Sequence, residues 1–480
     1  MRKAAACLLI CALILSCVLP FACAETRSGQ ERISGDFAYT LKDDGSAMVT
    51  RYTGTQETVA VPQSLDGIPV TAVGSHAFQA NDTLTEAVLP EGIVSLGDYA
   101  FLHCVNLVKA ALPASLTEVG LNPFTGCEML ADLAIAAGNP NLRIEEGVLF
   151  SLDDNRLIRY PMLKEPASYT IPGGTRIIGA SAFDQCENIA EILIPDENAL
   201  TAVGRRAFYQ CENLRAINLE NANISTIGAD AFAGCRALEK LAFPERITSI
   251  GERAFQDCTD LTELILPEAI TSIGEMAFRN CESLVSIRLP DGVTVIGKDT
   301  FAGCRELTEV YFPEELSYIG GGAFQNCESL RAVNLPEAVD YIGSEAFDGC
   351  VALEEIRIPD MCSFIGPSAF SRCQSLKSLA VPSYISAINP FTFSGCVSLT
   401  DIELPEDLEE IGENAFFCCY ALKEIVIPDP VEVIGERAFS NCVSLESVEL
   451  PEDLETVGPN TFERCEKLTG LPDLSDLYEE

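Results

Sequence analysis

The fold is decided by the segment LTELILPEAITSIGEMAFRNC, which runs from Leu261 to Cys281. The next unit keeps the same apolar frame and ends at Cys304, 23 residues after Cys281. A Phe three residues before the end of the unit occurs in sixteen units, at Phe78, Phe101, Phe124, Phe183, Phe208, Phe232, Phe255, Phe278, Phe301, Phe324, Phe347, Phe370, Phe393, Phe416, Phe439 and Phe462. Such a period predicts one elongated repeat solenoid rather than about three ordinary domains.

Each part of the unit predicts a piece of backbone. The alternating Leu-x-x-Leu-x-Leu stretch predicts one strand per coil, and stacking these strands builds a parallel sheet. Pro267 ends the strand because it has no N–H for the ladder. We expect Gly274 to turn the chain with a positive φ, and Ala277-Phe278-x-x-Cys281 to form one tight helical turn. The unit therefore predicts an α/β-type repeat solenoid.

The motif Cys-x-x-Leu-x-x-Ile-x-Leu-Pro-x-x-Ile-x-x-Ile-Gly-x-x-Ala-Phe resembles the 23-residue leucine-rich repeat of bacterial BspA-like surface proteins. The resemblance covers about Val59 to Pro472. It implies a leucine-rich repeat horseshoe or arc, with a parallel β-sheet on the concave face and short helical turns on the convex face. It also implies export to the cell surface and adhesion to host matrix proteins or to other bacteria.

Composition excludes several classes of function. The chain has 480 residues with 31 Lys and Arg against 72 Asp and Glu, so its formal net charge is −41, which repels nucleic acid. Because 48% of the residues are hydrophobic and 21% are charged, the chain folds around a core and is not an acidic disordered tail. Two histidines disfavour histidine-based catalysis and zinc sites.

The first 24 residues predict a secretory signal peptide. Arg2 and Lys3 precede an apolar run that ends at Leu19, and the small-residue site Ala22-Cys23-Ala24 follows. Removal of this leader changes the net charge to −41 − 2 = −43. A membrane anchor and a lipoprotein leader are the alternatives. We expect an extracellular or secreted protein, associated with the cell surface or released, with no membrane span after the leader is removed.

The rhythm of the repeats breaks once, because Cys127 and Cys186 are 59 residues apart. Residues between them read as paired short strands around Asp153-Asp154-Asn155. This insertion is a structural hairpin or, alternatively, a protruding contact element. The predicted organisation is a signal peptide at 1–24, an N-terminal β-hairpin cap at 25–58, three repeats at 59–135, the β-hairpin insertion at 136–172, thirteen repeats at 173–472 and an acidic tail at 473–480.

The 21 cysteines allow two interpretations. Four fall in the leader, and 15 of the other 17 end a repeat unit. A secreted chain rich in Cys can carry a disulfide framework. Equivalent side chains in stacked coils lie too far apart for disulfides, however, which favours a ladder of buried thiols. Cys362 aligns with core positions, whereas Cys418 aligns with an outer turn and is the expected exposed thiol, with dimerisation through it as an alternative.

Candidate chemistry elsewhere is sparse. Strand-ending prolines are mostly followed by an acid, as in Pro267-Glu268, and this column of acids is read as a solvated face, with loose binding of cations or of a basic partner as the alternative. His76 and His103 lie on turns without a nucleophile motif and are read as surface or capping residues. We predict no catalytic residue, no metal site and no cofactor.

The outward-facing positions of the predicted strands carry the candidate ligand-binding patch. Arginine and tyrosine are frequent anchors at binding interfaces. The patch comprises side chains from neighbouring coils, namely Arg288, Tyr311, Asn334 and Arg357, flanked by Glu309 and Glu355. The alternative is an ordinary polar strand face, because neighbouring Arg and Glu also stabilise a sheet.

Together these features predict a secreted leucine-rich repeat protein that is not an enzyme. We expect a binding or adhesion module that holds an extracellular protein or glycan on its concave face. One alternative is a passive structural or envelope protein without a specific ligand. A second is an enzyme whose site lies on the hairpin insertion.

Overall fold

The protein is a β-solenoid of stacked coils, seen here in a computed structural model that describes residues 30–164, 167–472, 474 and 477. Each regular coil contributes one short strand to each of two parallel ladders. The predicted stacking of 23-residue units is confirmed, because strand partners lie 23 residues apart, as Ser286 and Glu309 do. The expected signal peptide lies outside the described residues.

The first ladder consists of the predicted Leu-x-x-Leu-x-Leu strands. Its strands pair in parallel in runs of two to four. In a typical strand the middle residue faces the core while the flanking residues face solvent. They are Thr58–Ala60, Glu86–Val88, Lys109–Leu112, Asp132–Ile135, Ser168–Thr170, Glu191–Leu193, Ala216–Ile217, Lys240–Ala242, Glu263–Ile265, Ser286–Arg288, Glu309–Tyr311, Ala332–Asn334, Glu355–Arg357, Ser378–Ala380, Asp401–Glu403, Glu424–Val426 and Ser447–Glu449.

A second ladder, which the sequence analysis missed, lies at the Ile-Gly step of each unit. Ser272 and Ile273 pair with Ser249 and Ile250 of the preceding coil. Its strands in the repeats are Ile68–Val73, Ser95–Leu96, Glu118–Val119, Ile177–Ile178, Ala202–Val203, Thr226–Ile227, Ser249–Ile250, Ser272–Ile273, Val295–Ile296, Tyr318–Ile319, Tyr341–Ile342, Phe364–Ile365, Ala387–Ile388, Glu410–Ile411, Val433–Ile434 and Thr456–Val457.

The repeated glycine does not adopt the expected positive φ. Positive φ values fall instead on Met276 at 57° and Asn280 at 58°, and Gly274 is not in this region. The reason for glycine is close approach of backbones, because a Cβ at Gly274 would lie 2.4 Å from the amide nitrogen of Glu252. Glycine is therefore needed where adjacent coils touch, rather than where the chain turns.

The predicted helical turns are also wrong: among the described residues the only helix is a 3-10 turn at Leu219–Asn221. The Ala-Phe-x-x-Cys segments form successive β-turns instead. The N–H of Phe255 donates to the carbonyl oxygen of Ala277 in the next coil at 2.8 Å, while the N–H of Gln256 donates to Arg253 within its own coil. Every other amide thus donates to the next coil, which leaves too few hydrogen bonds within a coil for an α-helix.

The core is a column of stacked side chains. Phe255 and Phe278 are fully buried with ring centroids 5.6 Å apart and planes within 4°. The thiol of Cys281 donates to the carbonyl oxygen of Phe255 at 3.3 Å, and equivalent thiols do the same along the array. The 17 described cysteines are all free, so the predicted ladder of buried thiols is confirmed. Cys362 is buried as predicted, and Cys418 is half-buried.

The insertion joins the second ladder and separates two cores. Its strands are Leu142–Glu145, Val148–Ser151 and Arg156–Arg159. The second strand pairs antiparallel with the first and with the third, and the third pairs in parallel with Ile177–Ile178. Both faces of Val148–Ser151 are buried. Because side chains alternate along a strand, Leu149 packs into the N-terminal core while its neighbours Val148 and Phe150 pack into the C-terminal core.

Further elements cover the ends of the ladders. At the N-terminal end, Arg32–Ser34, Phe37–Leu41 and Ala47–Tyr52 form an antiparallel sheet, and Ser64–Leu65 pairs with Ile68–Val73. At the C-terminal end, the carbonyl oxygen of Leu477 accepts the N–H of Val457 at 2.8 Å, and Leu474 is buried. Most of the predicted acidic tail lies outside the described residues, and in the described part no helix has the length and apolarity of a membrane span.

Candidate binding face

The six residues predicted from the sequence lie on one solvent-facing surface. We call the outward side of the first ladder the first-ladder face. The strands Ser286–Arg288, Glu309–Tyr311, Ala332–Asn334 and Glu355–Arg357 carry all six, and each of these residues is exposed. Their middle residues anchor the strands in the core, so the backbone holds the exposed side chains in fixed register.

Three of the six form a compact cluster. The guanidinium of Arg288 stacks over the ring of Tyr311, with its central carbon 4.6 Å from the ring centroid. The hydroxyl of Tyr311 donates to Oε2 of Glu309 at 2.7 Å. This hydrogen bond and the charge of Glu309 raise the pKa of Tyr311. The cluster therefore presents an ordered arginine–aromatic surface, since each side chain restrains the next.

The other three residues form a second group. Asn334 and Arg357 are direct partners across parallel strands. Arg357 forms an ion pair with Glu337, with its guanidinium nitrogen 2.6 Å from Oε1. The two groups lie on successive coils: Ser286–Arg288 pairs with Glu309–Tyr311, and Ala332–Asn334 pairs with Glu355–Arg357, in separate two-stranded sheets.

An open depression of about 380 Å³ is lined in part by this second group. Small outward side chains, Ala332, Ser378 and Ala380, form its low part, and longer ones rise around them. Its lining also includes Asn334, Glu355, Arg357, Asp401 and Glu403. The first-ladder face therefore offers a recess beside the arginine–aromatic cluster.

The sequence analysis did not identify the contribution of Ser378, Ala380, Asp401 and Glu403 to this surface. The available signal was the pair of small residues at successive outward positions of one strand, between strands with charged ones. A recess depends on the relative lengths of side chains on neighbouring strands. These neighbours are known only when the register between the strands is known.

In the part of the chain that the structure describes, the two histidines are not part of a recognisable catalytic arrangement. His76 and His103 lie on exposed turns with positive φ, and the ring of His76 is 5.7 Å from that of Tyr99. The thiol of Cys104, adjacent to His103, donates to the carbonyl oxygen of Phe78 in the core. Within the described ranges, no group of three His, Cys, Asp or Glu residues is placed to hold a metal ion.

Comparison with known proteins agrees with this architecture. A family model described as the BspA type leucine-rich repeat region (6 copies) matches residues 57–151, 164–264, 248–377 and 340–469. These matches cover more than half of the chain. The fold and the match define a leucine-rich repeat protein, and the chain belongs to the BspA-type leucine-rich repeat family. The matching model describes a repeat and indicates no enzyme family.

Several solved structures are similar to this chain, and the first of them shares its fold. A leucine-rich repeat protein from Bacteroides ovatus is 27% identical, with 84% of this chain and 95% of that chain covered and a TM-score of 0.53. A leucine rich cell surface protein from Faecalibacterium prausnitzii is 22% identical, with 88% and 95% covered and a TM-score of 0.40. A leucine-rich repeat protein from Eubacterium ventriosum is 19% identical, with 71% and 94% covered and a TM-score of 0.38. No curated protein sequence matches the chain significantly.

Proposed function

We propose that the protein is an extracellular, non-catalytic binding module that holds a protein or glycan against its first-ladder face. The observation that carries the proposal is the ordered cluster of Arg288, Tyr311 and Glu309 on an exposed strand face. Ordered anchors lose little conformational entropy on binding, and arginine and tyrosine contribute disproportionately to binding energy.

The recess beside Arg357 supports the same proposal. A partner side chain or sugar that enters this recess would contact Arg357 and Asn334 at the same time. The acids around it disfavour anionic partners and suit neutral or basic ones. Secretion or surface display is supported by the predicted leader and by membership of the BspA-type family.

The test begins with a binding screen of residues 25–480, in reducing buffer at physiological salt, against arrays of extracellular-matrix proteins and glycans. The proposal predicts a saturable hit that Arg288→Ala combined with Tyr311→Ala weakens at least tenfold. Arg305→Ala combined with Tyr384→Ala is the matched control, because both side chains are exposed but lie off the first-ladder strands. That variant should bind normally.

A second variant tests the recess. Ala380→Trp should weaken the same hit by filling the space between Ala332 and Arg357. If the screen yields no saturable hit and the protein only self-associates or adheres to its own envelope, the passive structural role predicted as the alternative replaces the binding role. Loss of affinity in the control variant alone would place the contact elsewhere.

A further inference from the structure

A second surface suited to binding lies at the seam where the insertion interrupts the repeats. Met129 belongs to the last coil before the insertion, Leu163 to its end, and Glu187 to the first coil after it. Together with neighbouring side chains these residues line an open groove of about 420 Å³. We call it the seam groove, and it does not include any residue of the first-ladder face.

The apolar part of the groove lining is accessible. Met129 is 47% exposed and Leu163 is 51% exposed, and the buried Met162 also lines the groove. Methionine adapts its shape to different apolar partners because it is unbranched and flexible. Apolar side chains grouped in a concave surface are a frequent sign of an interaction site.

The polar part of the groove lining is acidic. Glu128, Glu187 and Glu212 line the groove together with the amides of Gln185, Asn188 and Gln210, and no Lys or Arg is among the lining residues. Glu212 is 3.6 Å from the guanidinium of Arg236, whereas Glu128 and Glu187 are exposed. A groove lined by both apolar and acidic side chains is complementary to an apolar side chain flanked by positive charges.

We propose that the seam groove docks a basic protein segment in which one or two large apolar residues are flanked by Lys or Arg. The apolar residue packs on Met129 and Leu163, and the flanking cations approach Glu128 and Glu187. This role gives the insertion a function that the regular repeats cannot supply, because the mixed lining occurs where the insertion separates two coils. It is independent of the first-ladder face.

The test uses a blocked hexapeptide with Trp-Leu at its centre and two Lys or Arg residues on each side. The protein has no tryptophan, so the emission of the peptide reports its own burial without background. We expect saturable binding, a shift of the emission to shorter wavelength, and weaker binding at high salt. An otherwise identical peptide with four Glu residues should not bind.

Variants locate the contact. Met129→Ser combined with Leu163→Ser should weaken binding at least tenfold, and Glu128→Gln combined with Glu187→Gln should weaken it and reduce its dependence on salt. All four side chains are exposed, and circular dichroism checks that the fold is intact.

Met361→Ser combined with Val443→Ser is the matched control, because these exposed apolar residues lie outside the groove. This control and Tyr311→Ala should bind the peptide normally. The proposal is overturned if the basic peptide does not bind, if the acidic peptide binds equally well, or if the Met129 and Leu163 double variant retains full affinity.

Discussion

At the scale of single residues, cysteine is suited to its repeated position because it combines small apolar bulk with a weak donor. The thiol of Cys304 donates to the carbonyl oxygen of Phe278 at 3.3 Å inside a closed core. Burial raises the pKa of Cys304, Cys350 and Cys396 to about 12. These thiols are therefore neutral and shielded at physiological pH, which makes them structural rather than reactive.

Thiol labelling tests this view. In the native protein, a thiol reagent at pH 8 should modify Cys418 fastest, because it lies on an outer turn and is half-buried, whereas Cys304 and its equivalents, apart from the half-buried Cys465 of the last coil, are buried. Cys418→Ser should remove the fast phase, as followed by mass spectrometry. Fast modification of Cys304 in the folded protein would contradict a sealed core.

Alkaline pH should destabilise the fold. In the unfolded chain the pKa of these thiols is near 9.0, and in the folded protein the pKa of Cys304 is about 12. Above pH 9 the unfolded chain loses protons that the folded protein keeps, so stability falls by up to about 1.4 kcal/mol per pH unit for each such thiol.

Urea unfolding at pH 7, 8 and 10 measures this effect. The free energy of unfolding should be lower at pH 10 than at pH 8, and Cys304→Ala should show a smaller fall than the wild type. Stability that increases between pH 8 and 10 would exclude the proposed role of buried neutral thiols.

At the scale of the structural element, contact between neighbouring coils decides which residues are tolerated. The sequence predicted the first ladder, because its alternation and its terminal proline are local signals. It misassigned Gly274 and the Ala-Phe-x-x-Cys turns, because the carbonyl oxygen that accepts the N–H of Phe255 belongs to another coil. The candidate site was also predicted only in part. The alternating strand pattern identifies the outward-facing residues, whereas the recess beside Arg357 depends on how neighbouring coils pack.

Replacement of a repeated glycine should destabilise the protein, because adjacent coils leave no room for a Cβ at this position. Gly274→Ala should destabilise the protein by about 1–3 kcal/mol, because its Cβ would lie 2.4 Å from the amide nitrogen of Glu252. Gly174→Ala is the control, since a Cβ there meets no atom within 4 Å and φ is not positive. Its effect should lie within about 1 kcal/mol of zero. Equal effects in urea unfolding would refute the close-contact explanation.

At the scale of the whole molecule, the insertion divides the solenoid into two cores. Stability in a solenoid is approximately a sum of coil stabilities and nearest-neighbour interfaces. Leu149 and Phe150 are adjacent in one strand but pack into different cores. A destabilising substitution in one core should therefore have little effect on the stability of the other core.

Hydrogen exchange followed by mass spectrometry can detect this division. Phe101→Ala should lower protection in the coils before the insertion, and Phe347→Ala should lower it in the coils after Cys186, because each ring is fully buried in a different core. Each substitution should cost about 3–5 kcal/mol locally. A uniform loss of protection along the chain in either variant would indicate a single cooperative core.

The proposal that the first-ladder face binds the ligand is tested most directly by hydroxyl-radical footprinting with the tightest binder from the arrays. Tyr311 is 45% exposed, and the controls Tyr384 and Tyr420 are 62% and 46% exposed. Binding should reduce oxidation of Tyr311 severalfold and leave both controls unchanged. Unchanged oxidation of Tyr311 at saturating ligand, with protection of Tyr384 or Tyr420, would contradict the proposed binding face.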